Sequence, residues 1–461
     1  MLSMGVLVLG TAVVVTALKL VWRVRFDTGV ILAVYCFVLV VLPSRYVVSA
    51  FGSVGSPAML AGIMFAGWWA SKLVLPSPWF DRERQPVRIA VFVFASATAM
   101  SYVAAAHRPL DGLEASAADR GMLAVAAAAG VALVAADGLR TRGQLDLVLK
   151  CLAVAGGLAA VVGILQFAAG IDLAEPLRLP GLTANTVLDA RGFGRSGFDR
   201  VPGTAEHPIE FSVVLTMVFP IALHYALTAV GNRARRWWWA CTALMLVAIP
   251  FSVSRTAVIA LLTVLLVLGF AWSPRQRWRA VGFGLVFLVV MRVAVPGLLG
   301  TIRALFTSFG EDPSIADRQI DYAFVTDFFS QRPIFGRGFF TFIPTRYDWL
   351  DNQYLMSAVE TGVVGILALV VVFTIGIGVA RLAWTVSEDL ATRDLARSLM
   401  AALAVPVTTF ATFDYMSFSI ARGLLFLLLG CAGALWRLEV RDRRREHVPE
   451  AAGRPAVPNQ A

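Results

Sequence analysis

The chain has 461 residues, of which 58% are hydrophobic and only 15% are charged, and its mean hydropathy is +0.74. Soluble globular proteins carry roughly 25% charged residues, so this composition excludes a soluble enzyme with one large core and indicates a polytopic membrane protein. The net charge is +10. Because membrane proteins collect Lys and Arg in their cytoplasmic loops, we attribute the excess to membrane topology and predict no nucleic-acid partner.

Apolar runs recur along the whole chain, separated by short polar breaks. A helix that crosses a bilayer needs about 20 residues, and the runs therefore predict an all-α bundle of twelve or thirteen transmembrane helices with a large extracytoplasmic loop. The thirteen predicted spans are 4–21, 28–43, 57–75, 87–106, 121–137, 147–169, 208–229, 236–253, 255–272, 279–298, 353–382, 398–415 and 418–436.

Arginine in the short loops predicts the orientation of the bundle, since Lys and Arg accumulate on the cytoplasmic side. One alternating topology places every arginine-rich short loop on that side, at 82–88, 140–142, 233–236, 275–279, 393–397 and 441–445. We therefore predict a multi-pass protein of the plasma (inner) membrane. Its two long polar segments, 170–207 and 299–352, then face the extracytoplasmic side.

These boundaries divide the chain into five predicted regions. The tail lacks apolar periodicity and contains Pro, Gly and Asn, which predicts disorder. The regions are N-terminal transmembrane helices at 1–169, an outer loop with central transmembrane helices at 170–298, a large extracytoplasmic loop at 299–352, C-terminal transmembrane helices at 353–437, and a disordered cytoplasmic tail at 438–461.

Several arginines fall on the predicted outer face, against the orientation rule. Arg200, Arg318 and Arg337 lie in the two long segments, and Arg255 lies at the outer junction between two helices. Guanidinium groups match phosphate oxygens in geometry and charge, so the set predicts an anionic ligand. The alternative is that these side chains reach out to lipid headgroups.

Titratable side chains also gather where two spans begin. Glu206 and His207 precede the span at 208, Asp351 precedes the span at 353, and Glu360 lies inside that span. The structural alternative is helix capping by the residues at each start. A carboxylate inside a span is a functional candidate, because burying it in a bilayer is costly.

Metal and nucleotide chemistry find little support in the sequence. The four cysteines lie far apart in apolar runs, the four histidines are scattered, and there is no G-x-x-x-x-G-K-[ST] phosphate loop. We therefore predict no metal site and no cofactor.

An ordered set of short motifs occupies residues 200–366. Asp351-Asn352 is followed, after nine residues, by Gly362-Val-Val-Gly365. The upstream members are Arg200…Gly203…His207-Pro208, Ser254-Arg255, Arg318 and Pro333…Gly336-x-Gly338. In this order the chain resembles the O-antigen ligase and polymerase superfamily. Members are bacterial integral membrane glycosyltransferases acting on undecaprenyl-diphosphate-linked sugars, and their hallmark is His-[Asn/Ser/Gln], nine residues and Gly-x-x-Gly.

The resemblance implies a glycosyltransferase whose donor and acceptor are lipid-linked oligosaccharides, with a chain-length regulator as a candidate partner. The outer loops contain no D-x-D carboxylate pair, which predicts a metal-independent transfer. It joins repeat units into a surface polysaccharide, such as O-antigen or exopolysaccharide, at the outer face of the membrane. The implied catalytic residues are Asp351, Arg255 and Arg318. The implied substrate-binding residues are Arg200, His207, Glu206, Arg337, Asn352 and Glu360.

Two alternatives stay open. Asp351 stands where ligases of the superfamily have His, which favours a polymerase over a ligase that transfers a finished glycan to another acceptor. A flippase or transporter for lipid-linked sugars predicts internal repeats and charges near the bilayer midplane. The sequence has no obvious repeat and its ionisable groups gather toward one face, which favours an enzyme.

Overall fold

The computed structural model describes residues 27–49, 51, 55–74, 85–171, 181–184, 194–195, 198–307, 313–344, 346–347 and 350–446. Within these ranges the chain forms fourteen α-helices. They are α1 Thr28–Val40, α2 Pro57–Val74, α3 Pro86–Ala106, α4 Gly112–Gly138, α5 Arg142–Ala169, α6 Pro208–Thr228, α7 Asn232–Ala248, α8 Arg255–Ala271, α9 Pro274–Ala294, α10 Leu298–Thr307, α11 Pro313–Gln331, α12 Gln353–Val386, α13 Leu390–Thr409 and α14 Ser419–Glu446.

The fold is an all-α polytopic membrane bundle, as predicted. Six helices are long and apolar enough to cross a membrane, namely α3, α4, α5, α6, α12 and the Ser419–Arg441 part of α14. A seventh candidate is the pair α9 and Leu298–Ala304, which is bent by 110°. Each predicted span from 28 onwards corresponds to one helix. By length and composition the described residues support six or seven spans, so the count of twelve or thirteen stays a prediction. Helices α1 and α8 are apolar but have only 13 and 17 residues.

The structure adds detail to one predicted region and corrects another, and two predicted segments lie outside the described residues. The region 299–352 contains most of α10 and all of α11. Helix α14 continues to Glu446, so 438–446 is helical rather than disordered. The predicted span 4–21 and the tail from 447 lie outside the described residues.

Successive helices cross the bundle in alternating directions, so the connections between them lie at its two opposite ends. At one end Thr204 Oγ1 donates to Val40 O at 2.6 Å and Gln353 N donates to Phe410 O at 2.7 Å. The described parts of both long polar segments lie here, and we call it the loop end. The described parts of the arginine-rich short connections lie at the other, basic end, where Arg142 Nη1 donates to Thr392 Oγ1 at 2.6 Å.

Small residues let the central helices approach closely. A β-carbon on Gly130 of α4 would lie 2.3 Å from the carbonyl oxygen of Gly62 on α2, and one on Gly430 of α14 would lie 2.5 Å from the carbonyl oxygen of Ala132. Close backbone contact of this kind is how helices pack in membranes, where the hydrophobic effect does not drive helix association. Helix α14 is the most enclosed candidate span, and the loop end assembles around its first residues.

Short strands and a second apolar core organise the loop end. Strand β1 Tyr46–Val48 pairs antiparallel with β2 Leu182–Ala184, and β3 Gly194–Arg195 pairs antiparallel with β4 Phe198–Asp199. The second core joins α11 and the following segment to α12. Its buried members are Val325, Phe342, Leu350, Met356 and Val359.

Candidate active site

Helix α12 is interrupted at Gly362, which has φ 62° and ψ −160°. The turn 333–338 fills this break with backbone hydrogen bonds. Val359 O and Glu360 O accept from Arg337 N and Gly338 N, each at 3.0 Å. Val363 N and Val364 N, the helical donors to those two carbonyls, donate instead to Pro333 O at 2.9 Å and Ile334 O at 3.2 Å. Two helical bonds are thus replaced by four bonds to the turn.

The close contact explains why glycines stand in both motifs. A β-carbon on Gly336 would lie 2.3 Å from Glu360 O, and one on Gly362 would lie 2.5 Å from Ile334 O. Both residues also have positive φ, a conformation that side chains disfavour. The motifs Pro333…Gly336-x-Gly338 and Gly362-x-x-Gly365 therefore form two halves of one interlocking structure.

Glu360 is buried beside this break, with 4% of its surface exposed. Its Oε1 accepts from Phe342 N at 3.2 Å, and its carbonyl oxygen accepts from Ser101 Oγ at 2.6 Å. The predicted substrate-binding carboxylate therefore binds the backbone that follows the glycine turn, and its contacts position that loop.

Asn352 caps the start of α12. Its Oδ1 accepts from Tyr354 N at 2.9 Å and Leu355 N at 3.2 Å, and its Nδ2 donates to Ala411 O at 3.4 Å. The alternative that Asp351 serves as the N-cap is therefore wrong. The exposed Asp351 precedes the cap, and Asn352, predicted to bind substrate, commits its side-chain oxygen to the helix.

The connection between α13 and α14 brings a second carboxylate to Asp351. Gln353 N donates to Phe410 O and Phe413 O at 2.7 and 3.1 Å, which places Asp414 within electrostatic range of Asp351. Burial is the largest cause that raises the pKa of Asp414, to about 7. The carboxylates of Asp351 and Glu210 raise it further, against a hydrogen bond with Ser417 that lowers it.

The start of α6 contributes the next titratable group. His207 is the N-cap of this helix, and its Nδ1 accepts from Ile209 N at 3.1 Å. Burial, with a contribution from the positive charge of Arg200, lowers the pKa of His207 to about 4. Its ring lies 6.0 Å from that of Phe418, centroid to centroid. His207 is therefore neutral at pH 7, with its Nε2 carrying the proton.

Two glutamates and one arginine connect the starts of α6 and α14. Glu210 Oε1 accepts from Ile420 N at 2.9 Å and Ala421 N at 3.1 Å. Burial and the neighbouring Glu210 raise the pKa of Glu206, whereas Arg422 opposes the rise. Arg422 is 8% exposed and donates to the carbonyl oxygen of Met416. One guanidinium group thus lies near two carboxyl groups.

Arg200 and Arg255 flank the same 3-10 turn, Ile249–Ser252. Arg200 Nε donates to Ser252 O at 2.8 Å, and Arg255 is the first residue of α8, directly after the N-cap Ser254. The intervening Val253 has φ 43°, a strained conformation for a β-branched residue. Both guanidinium groups are partly buried, and the structure brings them to the end of the bundle that holds His207.

Arg337 has its charge compensated inside the protein. Its Nη2 donates to Glu114 Oε1 at 3.0 Å and to the hydroxyl of Tyr347. Arg108 Nη1 donates to Glu114 Oε2 at 2.6 Å. The guanidinium of Arg337 also lies 4.8 Å from the ring centroid of Phe328. These contacts make Arg337 a clamp between α4 and the long outer segment. Arg318 lies on α11, but its side chain is outside the described part of the chain.

Sequence reasoning missed Asp414 and Arg422. Asp414 lay inside the predicted span 398–415 and Arg422 inside the span 418–436. An ionisable residue within a span is a functional candidate by default, so the rule that selected Glu360 would have selected both.

The interlocked glycines, Asp351-Asn352 and Arg255 all fall within one stretch that matches a known family. Residues 240–370 match the sequence model of the family described as O-antigen ligase. This segment is similar to an O-antigen ligase domain. The match supports the resemblance to the O-antigen ligase and polymerase superfamily that the motifs carry.

The O-antigen ligase domain covers less than a third of the 461 residues. Asp414, Arg422, Glu206 and His207 lie outside it, although the fold brings them to its edge. No curated protein sequence matches the chain. At family level the domain supports an O-antigen ligase or polymerase type of activity, that of a glycosyltransferase-like enzyme in a multi-pass membrane protein.

Proposed function

We propose that the protein polymerises a surface polysaccharide from undecaprenyl-diphosphate-linked repeat units at the outer face of the plasma membrane. The observation that carries this proposal is the position of Asp351. It is not the helix cap, it is exposed, and it lies within electrostatic range of Asp414. A carboxylate in this setting is suited to accept a proton from a sugar hydroxyl.

The proposed step is a direct displacement. The hydroxyl oxygen of the acceptor sugar attacks the anomeric carbon of the donor glycan, and the bond between that carbon and the lipid diphosphate breaks. The hydroxyl proton passes to Asp351, and the electron pair of the broken bond leaves with the diphosphate. The anomeric configuration is inverted. We propose that Asp414, whose pKa is raised to about 7 and which lies within electrostatic range of Asp351, assists this proton transfer.

The leaving diphosphate needs charge compensation rather than a proton. Arg255 and Arg200 are the proposed hydrogen-bond donors, because they flank one turn at the loop end. A single guanidinium group can donate two parallel hydrogen bonds to phosphate oxygens. Arg318 stays a predicted third member. In this proposal guanidinium groups take the place of the metal ion that other glycosyltransferases use.

The family match leaves a ligase as the second candidate function. Asp351, where ligases have His, favours the polymerase. The carboxylates and arginines described above gather at the loop end, which favours an interfacial enzyme over a transporter with a site at the bilayer midplane.

Reconstitution with purified lipid-linked repeat units separates these functions. A ladder of products supports the polymerase, a single transfer to a foreign acceptor supports the ligase, and translocation without a new glycosidic bond supports a flippase. Asp351→Asn should abolish the ladder, and the matched variant Asp327→Asn, at an exposed position on α11, should leave it unchanged.

A further inference from the structure

Helices α12 and α13 form an antiparallel hairpin at the basic end, far from the candidate active site. Trp384 lies in the last turn of α12, Ser387 is its C-cap, and Arg393 and Arg397 lie one turn apart on α13. The guanidinium carbon of Arg397 lies 5.0 Å from the ring centroid of Trp384. The two helices run in opposite directions. Ser387 and Arg393 therefore lie side by side, each about one helical turn closer to the connection than the Trp384–Arg397 contact.

Each of these four side chains has a buried polar atom without a hydrogen-bond partner among the described residues. The atoms are Trp384 Nε1, Ser387 Oγ, Arg393 Nε and Arg397 Nε. Ser387 as a whole is only 5% exposed. An unsatisfied buried polar group costs about 1–3 kcal/mol, and native structures contain few of them. Four atoms on one hairpin, all able to donate, indicate that a ligand rich in acceptors binds here.

The carboxylates next to this group are engaged elsewhere. Asp394 Oδ2 lies 2.7 Å from His224 Nδ1, and Asp389 accepts from Thr392 N at 2.9 Å and from the Thr392 hydroxyl at 2.8 Å. Glu388 Oε1 lies 3.6 Å from Arg443 Nη2. The three neighbouring carboxylates therefore each have another partner, and none of them accepts a hydrogen bond from the four unsatisfied atoms.

We propose that the hairpin binds a phosphate group through Trp384, Ser387, Arg393 and Arg397, and we call these four residues the hairpin phosphate site. Phosphate offers several acceptor oxygens, and guanidinium groups match them in charge and geometry. An indole N–H and a hydroxyl supply two neutral donors. A phospholipid headgroup and free inorganic phosphate share this chemistry.

The test uses the purified full-length protein in mild detergent. Native mass spectrometry measures binding of phosphatidylglycerol, and a thermal melt measures stabilisation by inorganic phosphate. The variant Arg393→Gln/Arg397→Gln removes both charges. The control Arg275→Gln/Arg279→Gln removes two charges with the same spacing from exposed positions on α9. We expect the site variant to bind at least about tenfold more weakly, and the control to stay within twofold of wild type.

The two measurements distinguish the sources of phosphate. Selective loss of phosphatidylglycerol binding in the site variant supports a lipid headgroup, whereas selective loss of stabilisation by inorganic phosphate supports the free ion. Equal responses of wild type, site variant and control to both probes would overturn the proposal. If the double variant does not fold, Trp384→Phe/Ser387→Ala removes the neutral donors while keeping both charges, and we then expect an affinity loss of about threefold. Neither readout depends on glycosyl transfer.

Discussion

Gly336 lies so close to Glu360 that a β-carbon on the glycine would come within 2.3 Å of the carbonyl oxygen of Glu360. The contact locks the turn 333–338 into the break in α12, and the same turn leads into the backbone that Glu360 binds at Phe342. Positive φ at Gly336 and Gly362 belongs to the same arrangement. The glycines of the family hallmark are thus needed for a backbone contact, and this contact fixes the position of Glu360.

Replacing Gly336 by Ala should disrupt this contact. We expect destabilisation of about 1–3 kcal/mol from the positive φ and the close approach, together with loss of polymer. The control Gly282→Ala lies in the middle of α9 with open space around it and should be neutral or slightly stabilising. Melting temperatures and product ladders from purified variants measure both effects. A Gly336→Ala protein with wild-type melting and activity would contradict the interlock.

Arg255 is predicted to stabilise the departing diphosphate. Removing one donor aimed at developing charge costs about 3–4 kcal/mol of barrier, so Arg255→Ala should abolish detectable polymer while the protein persists in the membrane. Arg255→Lys should rescue poorly, because the planar fork is lost. The control is Arg303→Ala, at an exposed position on α10. Polymer of normal length in cells that carry only Arg255→Ala would exclude this role.

Asp351 occupies the position of the superfamily's His, which allows a swap. A general base contributes about 10²–10⁴-fold to a rate, so Asp351→Asn should lose at least a factor of a hundred. Asp351→His can still accept a proton and should retain more activity than Asp351→Asn, with an altered pH–rate profile. Initial rates across a pH series give the comparison. Equal activity of the two variants would mean that this side chain does not act as a base.

Asp414 should make stability depend on pH. Its pKa is raised from an ordinary value of 3.8 to about 7, so the folded state holds a proton that the unfolded chain releases. This contribution to stability is complete below pH 4 and is lost as the pH rises through 7. Asn does not titrate, so the stability of the Asp414→Asn variant should not fall over this pH range. Its melting temperature relative to wild type should therefore rise between pH 4 and 7 and level off above, and a pH-independent difference would contradict the assignment.

Arg337 and Glu114 should behave as a structural pair. Arg337→Gln leaves a buried carboxylate with fewer partners and should cost about 1–3 kcal/mol, whereas Glu114→Gln/Arg337→Gln removes both charges and should recover part of the melting temperature. Polymer yield should recover in parallel if the pair only anchors the outer segment. If the double variant recovers stability but not polymer yield, Arg337 also binds substrate, as the sequence analysis predicted.

Much of the candidate site could be predicted from the sequence. The motifs occur in the same order as in the superfamily, and the predicted spans indicate at which end of the bundle each motif lies. Arg200, Arg255, His207 and Asp351 were found in this way, and the structure places all four at the loop end. Asp414 was missed because it was counted as part of an apolar span.

Other features depend on the fold itself. Asp and Asn both cap helices, so only the backbone conformation of Asn352, φ −155° and ψ 111°, assigns the cap to it rather than to Asp351. The partner of Arg337 lies 223 residues away in the chain, and no spacing rule connects them. The break in α12 is also invisible to hydropathy, since apolar residues continue across Gly362.

The carboxylate of Glu210 receives the backbone N–H groups of Ile420 and Ala421 from a helix that follows 210 residues later. During synthesis α6 therefore enters the membrane long before the residues that complete its polar end exist. Until α14 has been synthesised, nascent chains lack Arg422 and the two N–H groups that Glu210 binds. If the proposed function is correct, we expect chains truncated before α14 to make no polymer.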